Sequence, residues 1–135
     1  MSHRPTVFPA LRYEDAKAAI ALLKEAFGFT EIAVYENEDG TVAHAELAYG
    51  NGVVMLGTAR PQDEPGRPGT GLGPSSVYVV VDDPDAHHDR AATHSAVHIL
   101  RPPTDQDYGS REYTARDPEG NLWSFGTYAP DLPGS

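Results

Sequence analysis

The first half of the chain contains one run of apolar residues with a helical period, among segments in which apolar and polar residues alternate. Apolar residues at three- and four-residue steps between Asp15 and Gly28 predict a helix, with Asp15 as its N-cap and Gly28 at its end. The alternating segments predict strands, and Asp39-Gly40 is typical of a hairpin turn. The predicted strands are 7–12, 30–37, 42–49 and 53–58. This half therefore has the order β-α-β-β-β.

The second half repeats this order after a segment rich in proline and glycine. Residues 60–75 hold four Pro and four Gly, which is typical of a linker or a surface loop. Asp83 followed by Pro84 predicts the start of a second helix, whose apolar face is thin. Residues 117–120 fit a tight turn before the last strand. The predicted strands are 76–81, 97–100, 110–116 and 122–128, with 101–109 as a loop.

The two halves also match in detail. Residues 11–15 correspond to 79–83, where each strand leads into an acidic helix cap, and residues 52–56 correspond to 121–125. One helix covers only one face of a four-stranded sheet, so the other face must pack against a partner module or line a cavity. We therefore expect one α+β domain made of two β-α-β-β-β copies.

Composition excludes several classes of function. The chain of 135 residues has 10 Lys and Arg against 20 Asp and Glu, a formal charge of −10, which disfavours nucleic acids and anionic membrane surfaces as partners. It has no cysteine, which excludes thiol catalysis and thiolate metal sites. No apolar run approaches the roughly 20 residues of a membrane span. The first residues contain no apolar signal segment, so we expect a cytoplasmic protein.

Several phrases of the repeat resemble the vicinal oxygen chelate superfamily, which includes glyoxalase I, extradiol dioxygenases, fosfomycin-resistance proteins and bleomycin-resistance proteins. These phrases are Leu11-Arg12-Tyr13-Glu14-Asp15-Ala16, Phe27-Gly28-Phe29, His44-Ala45-Glu46-Leu47, Val80-Val81-Asp82-Asp83 and Arg116-Asp117-Pro118-Glu119-Gly120-Asn121. The resemblance implies modules at 7–59 and 76–128, with a linker at 60–75. It implies mixed sheets curled into a cup with the helices outside, commonly in a homodimer whose cups use both chains.

The resemblance also identifies four positions at which metal-dependent members place His, Gln or Glu. In this chain they are Phe8, Met55, Ser76 and Ser124. Phenylalanine has no lone pair to give, a thioether is too soft for the ions of this family, and serine hydroxyls are weak neutral donors. We therefore expect a cup without a metal or other cofactor, in which these four side chains contact a ligand.

A polar pair stands out in the predicted strand 42–49. His44 and Glu46 share one face, opposite Ala43, Ala45 and Leu47. If the apolar face packs under the helix, both polar side chains point into the cup. They could form a polar wall that orients a ligand, or they could act as a proton shuttle or half of a metal site.

Residues of the second half complete the predicted lining. Tyr78 should share the face of Ser76. Tyr108 and Arg111 belong to an aromatic-Gly-x-Arg phrase that related proteins often carry beside the mouth of the cup. Tyr108 could stack on a planar ligand and Arg111 could pair with an anionic or carbonyl group, or both could anchor the loop. Tyr113 continues the Arg111 face and is expected to line the cavity.

The remaining candidates are expected to have structural roles. Trp123 should face the helix, as a core or dimer contact. Ser76 and Ser124 lack a Gly-x-Ser-x-Gly context, so no catalytic nucleophile is predicted. Four further histidines lack a carboxylate at a recognised ligand spacing and are expected at the surface: His87, His88, His94 and His98.

These observations favour a metal-independent protein that binds and sequesters an aromatic or peptide natural product, as bleomycin-resistance proteins do. The acidic surface would suit a cationic antibiotic. The alternative is an enzyme of the same superfamily, a lyase, isomerase or dioxygenase with a non-standard site, in which His44 or Glu46 is the acid–base group. A third possibility is a dimeric module without a small ligand.

Overall fold

The computed structural model describes residues 5–65 and 67–133 of the chain. Its helices and strands follow one another in the order expected from the repeat. They are β1 Ala10–Tyr13, α1 Ala16–Glu25, β2 Thr30–Glu36, β3 Val42–Tyr49, β4 Gly52–Thr58, β5 Ser76–Val80, α2 Pro84–Ala92, β6 His98–Asp105, β7 Arg111–Arg116 and β8 Leu122–Gly126.

The strands form two mixed sheets with the same topology. The first sheet has the order β1-β4-β3-β2 and the second has the order β5-β8-β7-β6. In each sheet the first and last strands of the module pair in parallel, and the remaining neighbours are antiparallel. The α+β class with two β-α-β-β-β modules is therefore confirmed.

Both helices begin at the aspartates that the sequence predicts. Asp15 Oδ1 accepts a hydrogen bond from the Ala18 N–H at 3.1 Å, and Asp83 Oδ1 accepts one from the Ala86 N–H at 3.1 Å. Gly28 follows α1 with φ of 80°, a left-handed conformation that glycine adopts without strain. In the part of the chain that the structure describes, neither helix has the length and apolar character needed to cross a bilayer.

One apolar core joins the two modules. The Phe27 ring, just after α1, packs on Phe125 and Trp123 of β8 with centroid distances of 4.7 and 5.9 Å. Leu47 and Leu56 of the first sheet belong to the same buried cluster. The helix-side faces of both sheets therefore point into a shared core, and the opposite faces point away from it.

A buried carboxylate connects the modules at one end of this core. Asp117, in the turn before β8, accepts a hydrogen bond from the Tyr13 hydroxyl of β1 at 2.6 Å. The same carboxylate accepts from Trp123 Nε1 and Asn121 Nδ2, each at 3.2 Å. Burial and the Asp117 charge raise the pKa of Tyr13, so the phenol remains a donor. The Asp-Pro-Glu-Gly-Asn phrase thus fixes the second module to the first.

The ends of α1 are also held by the second module. Glu119 accepts hydrogen bonds from the backbone N–H groups of residues 14–15 at 2.7 and 2.9 Å. At the other end, Arg90 of α2 donates to the backbone carbonyls of Lys24 and Glu25, each at 3.0 Å. An acidic group at the start and a cation at the end both complement the helix dipole.

Two element boundaries differ from the sequence prediction. β1 begins at Ala10 rather than at residue 7, because Pro9 has no N–H to give to a strand ladder. β6 extends to Asp105, where a loop was expected after residue 100, although the strand contains Pro102 and Pro103. β6 lies at the edge of its sheet and its register shifts around these prolines, which is where a strand tolerates them.

Candidate functional site

The outer face of the first sheet carries the His44 and Glu46 pair. Both lie on β3, with His44 Nε2 at 2.9 Å from Glu46 Oε2. Ala45 and Leu47, the residues that alternate with this pair along β3, are fully buried. Because successive side chains of a strand point to opposite faces, His44 and Glu46 lie on the face away from α1. Met55 of β4 lies directly opposite Glu46 in the ladder. These three predicted site residues therefore share one face.

A pocket of about 350 Å³ lies beside this pair, and we call it the first-sheet pocket. His44 and Met55 line it together with Arg12 of β1. Neighbouring residues of β1, β3 and β4 also line it, and part of its wall comes from the segment predicted to be a linker, including Thr70 and Gly71. The Arg12 N–H donates to the Gly71 carbonyl at 2.6 Å, so this segment follows the edge of β1. This contact could not be predicted from local sequence patterns, because it joins residues far apart in the chain.

Tyr78, Tyr108 and Ser124 meet on the outer face of the second sheet. They line a cavity of about 550 Å³, the second-sheet pocket, whose remaining lining is Glu112, Tyr128 and Pro130. Ser124 lies opposite Tyr78 in the ladder, and its Oγ is 3.0 Å from the Thr114 hydroxyl. The structure thus brings three predicted site residues together in a pocket rich in tyrosine.

Glu112 was not identified from the sequence, yet it lines the second-sheet pocket. The residue is only 6% exposed, and its Oε2 accepts a hydrogen bond from the Tyr108 hydroxyl at 2.7 Å. That hydrogen bond raises the pKa of Tyr108, so the phenol remains neutral. Arg101 Nη2 lies 3.9 Å from Glu112 Oε1, too far for a hydrogen bond. Nothing in the sequence pattern indicated that this glutamate would be buried.

Gly126 makes room for this arrangement. A Cβ at Gly126 would collide with Glu112 Cγ and with the Tyr78 hydroxyl. Only glycine therefore lets both side chains lie across β8 as they do.

Arg111 and Tyr113 lie on the helix-side face of the second sheet and not on its outer face, which corrects two predictions. Arg111 donates to Asp85 of α2 at 2.8 and 3.0 Å and to Asp105 at 3.1 Å, so it faces the helix side. Tyr113 is fully buried on the same side, stacked on Phe125 with a centroid distance of 5.1 Å. Their alternation along β7 was predicted correctly, but the assignment of the two faces was wrong.

His87 is not a surface histidine, which corrects a further prediction. Its ring lies 4.3 Å from the Phe125 ring, its Nε2 is 2.8 Å from the Phe27 carbonyl, and its Nδ1 contacts the Tyr113 hydroxyl. A carbonyl only accepts, so Nε2 carries the proton and Nδ1 accepts from the phenol. Burial lowers the pKa of His87. His87 therefore belongs to the core between the modules.

The four positions that the resemblance identifies as metal ligands do not provide a suitable donor set here. Phe8 lies outside β1 and is 41% exposed, and Ser76 is exposed at the start of β5. Met55 and Ser124 lie on the outer faces described above, where their possible metal-donor groups are one thioether and one hydroxyl. Within residues 5–65 and 67–133, no three His, Asp or Glu side chains form a group that could hold a metal ion. These residues do not fit a divalent cation.

Each outer face thus combines apolar or aromatic surface with a few polar groups, an arrangement suited to binding an organic molecule. Among the protein structures similar to this one is that of TioX from Micromonospora sp. ML1, with 32% identity and a TM-score of 0.75, over 96% of this chain and 100% of that one. No curated protein sequence shows significant similarity to the chain.

Two further structures are similar in fold. TnmS3, an antibiotic binding protein from Streptomyces sp. CB03234, has 19% identity and a TM-score of 0.68, over 93% of this chain and 94% of that one. A glyoxalase-related enzyme from Fulvimarina pelagi has 15% identity and a TM-score of 0.63, over 90% and 86% of the two chains. The family model of the Glyoxalase/Bleomycin resistance protein/Dioxygenase superfamily matches residues 7–125, and the chain belongs to this superfamily.

Proposed function

We propose that the protein is a metal-independent binding protein that sequesters an aromatic or peptide natural product. The observation that carries this proposal is the chemistry of the four metal positions. Phe8, Met55, Ser76 and Ser124 replace the imidazole and carboxylate donors with an aromatic ring, a thioether and two hydroxyls. Such side chains contact an organic ligand well and coordinate a hard cation poorly.

The tyrosines of the second-sheet pocket support the same proposal. Tyr78 is 40% exposed and Tyr108 is 59% exposed, so their rings are available to a planar ligand. Aromatic rings give large contact area and a preferred stacking geometry. The similarity in fold to TnmS3, an antibiotic binding protein, is in line with this reading.

We further infer a homodimer in which each cup combines the first sheet of one chain with the second sheet of the other. This inference is supported by the direction of the two outer faces. Both point away from the core that joins the modules, so the two faces of one chain do not enclose a cup together. Val80 and Tyr78 project from the second sheet with 43% and 40% exposure. A second copy of the chain would cover this apolar surface with its first sheet. Light scattering on the eluting protein tests this, and a monomeric mass at micromolar concentration would contradict it.

A ligand panel tests the binding function. The purified protein is titrated calorimetrically with aromatic polyketides and cyclic peptide antibiotics, and each compound is then recovered and weighed by mass spectrometry. We expect at least one compound to bind stoichiometrically and to be recovered with unchanged mass. Tyr78→Ala should weaken binding about tenfold, because one aromatic contact is lost. The control Ile32→Ala removes an exposed apolar side chain of β2 outside both pockets and should bind like the wild type.

The His44 and Glu46 pair supports one alternative, an acid–base enzyme. Their separation of 2.9 Å is that of a hydrogen-bonded donor and acceptor, the geometry of a proton shuttle. The panel separates the two functions, since turnover would change the recovered mass. If it does, Glu46→Gln should abolish the change in mass while binding persists, and sequestration would be refuted for that compound.

A further inference from the structure

The second-sheet pocket contains a carboxylate that is only partly satisfied. Glu112 Oε2 accepts from Tyr108, but Oε1 has no hydrogen-bond donor among residues 5–65 and 67–133. In the same part of the chain, no fully buried side-chain oxygen lacks a hydrogen-bond partner, so Oε1 keeps some accessible surface, and Glu112 lines the pocket. A nearly buried carboxylate that lines a cavity and has one oxygen without a hydrogen-bond donor attracts a positively charged group.

The walls of the same pocket are aromatic. The rings of Tyr108 and Tyr128 are 5.8 Å apart and nearly perpendicular at 83°, which forms a corner of two π surfaces. Tyr78 is fixed beside them because its hydroxyl donates to the Tyr128 carbonyl at 2.8 Å. Tyrosine faces placed around a carboxylate are the arrangement that binds alkylammonium groups, through cation–π attraction and the counter-ion.

Arg101 is the only cationic side chain within 4.0 Å of Glu112 among the described residues. Its Nη2 lies 3.9 Å from Glu112 Oε1, and its side chain is 48% exposed. A pair with this separation and exposure is weak, because solvent screens it and the arginine loses side-chain entropy on forming it. A ligand cation can therefore replace the guanidinium.

We propose that the second-sheet pocket is a subsite for an alkylammonium group, with Glu112 as the counter-ion and Tyr78, Tyr108 and Tyr128 as its walls. The proposal rests on the binding function proposed above and specifies it, since it requires the natural product to carry such a cation. The net charge of −10 also draws cations toward the protein.

Two small probes of equal shape test the subsite without knowledge of the natural product. Choline carries a quaternary nitrogen where 3,3-dimethyl-1-butanol carries a neutral carbon. Both are titrated into ¹⁵N-labelled protein at constant ionic strength, and amide shifts are followed by NMR. We expect choline to shift the amides of residues 111–113 and Tyr128 and to bind at least about tenfold more tightly than the neutral alcohol.

Variants make the test specific to Glu112. Glu112→Gln keeps the shape of the side chain and should weaken choline binding about tenfold. Arg101→Gln should strengthen it about two- to fivefold, because the competing cation is removed. Glu38→Gln makes the same charge change in the exposed turn between β2 and β3 and should have no effect.

Equal binding of choline and the neutral alcohol would overturn the subsite, and so would unchanged choline affinity in Glu112→Gln. Should Glu112→Gln fail to fold, Arg101→Gln decides the question, since weaker or equal choline binding there contradicts the proposal. The two proposals fail separately. Choline binding without binding of any natural product would overturn sequestration alone, whereas natural product binding without choline binding would overturn the subsite alone.

Discussion

Removal of the Tyr13 hydroxyl should destabilise the whole protein, because this hydroxyl of the first module donates a hydrogen bond to a buried carboxylate of the second. Its oxygen lies 2.6 Å from Asp117 Oδ2, and Asp117 is only 4% exposed. Hydrogen bonds to charged groups contribute about 1.5–3 kcal/mol each. In Tyr13→Phe the ring remains and leaves almost no cavity, and other donors still reach the carboxylate. We therefore expect a loss of about 2 kcal/mol in the free energy of unfolding.

This loss corresponds to a measurable change in melting temperature. With an unfolding entropy of about 2.1 cal/mol/K per residue, the 135-residue chain should melt about 7 °C lower. Urea unfolding followed by circular dichroism should show a lower midpoint with an unchanged slope, since the exposed surface of the unfolded chain is the same.

Tyr35→Phe is the matched control. Tyr35 is 61% exposed, and its hydroxyl has no hydrogen-bond partner among the described residues. Its loss should change the free energy of unfolding by less than about 0.5 kcal/mol. The reasoning is refuted if Tyr13→Phe and Tyr35→Phe have the same stability, because the buried bond would then contribute nothing beyond solvation.

Three further outcomes are expected. Stability should fall as the pH is lowered from 7.5 to 5.0, because burial lowers the pKa of His87 in the folded protein while the unfolded chain takes up the proton near 6.5. The fall should be smaller in His87→Gln, and equal pH profiles by calorimetry would contradict this. Arg90→Met should lower stability by about 1 kcal/mol and speed amide exchange at the end of α1, because the carbonyls of Lys24 and Glu25 lose their donor. A chelator should change the melting temperature by less than about 1 °C, whereas a stoichiometric metal in the purified protein would contradict the assignment of the site.

The secondary structure could be predicted well from the sequence because its signals are local. Asp15 and Asp83 cap the helices through contacts three residues away, and the strand periods follow from the nearest neighbours. The duplication then fixed the topology, because each copy had to bury the same helix-side face. Helix caps, strand periods and the repeated topology can therefore be predicted from the sequence alone.

The side-chain positions that were predicted wrongly depend on contacts across the fold. On β7, Glu112 is polar and points outward, whereas Tyr113 is amphipathic and points into the core. Polarity alone does not decide which of the two neighbours lines a cavity. His87 is half-buried, and one of its contacts is the Phe27 carbonyl, 60 residues earlier in the chain. Such contacts between the modules leave no periodic pattern in the sequence.

The backbone bond between Arg12 and Gly71 has a consequence for how the protein behaves at high concentration. β1 is the outermost strand of its sheet, and such a strand offers free N–H and C=O groups to other chains. Here the chain's own segment occupies part of that border, since Leu72 also forms a bridge with Arg12. Under the function proposed above, the protein would have to accumulate in amounts comparable to its ligand, and a border covered in this way would limit aggregation between its copies.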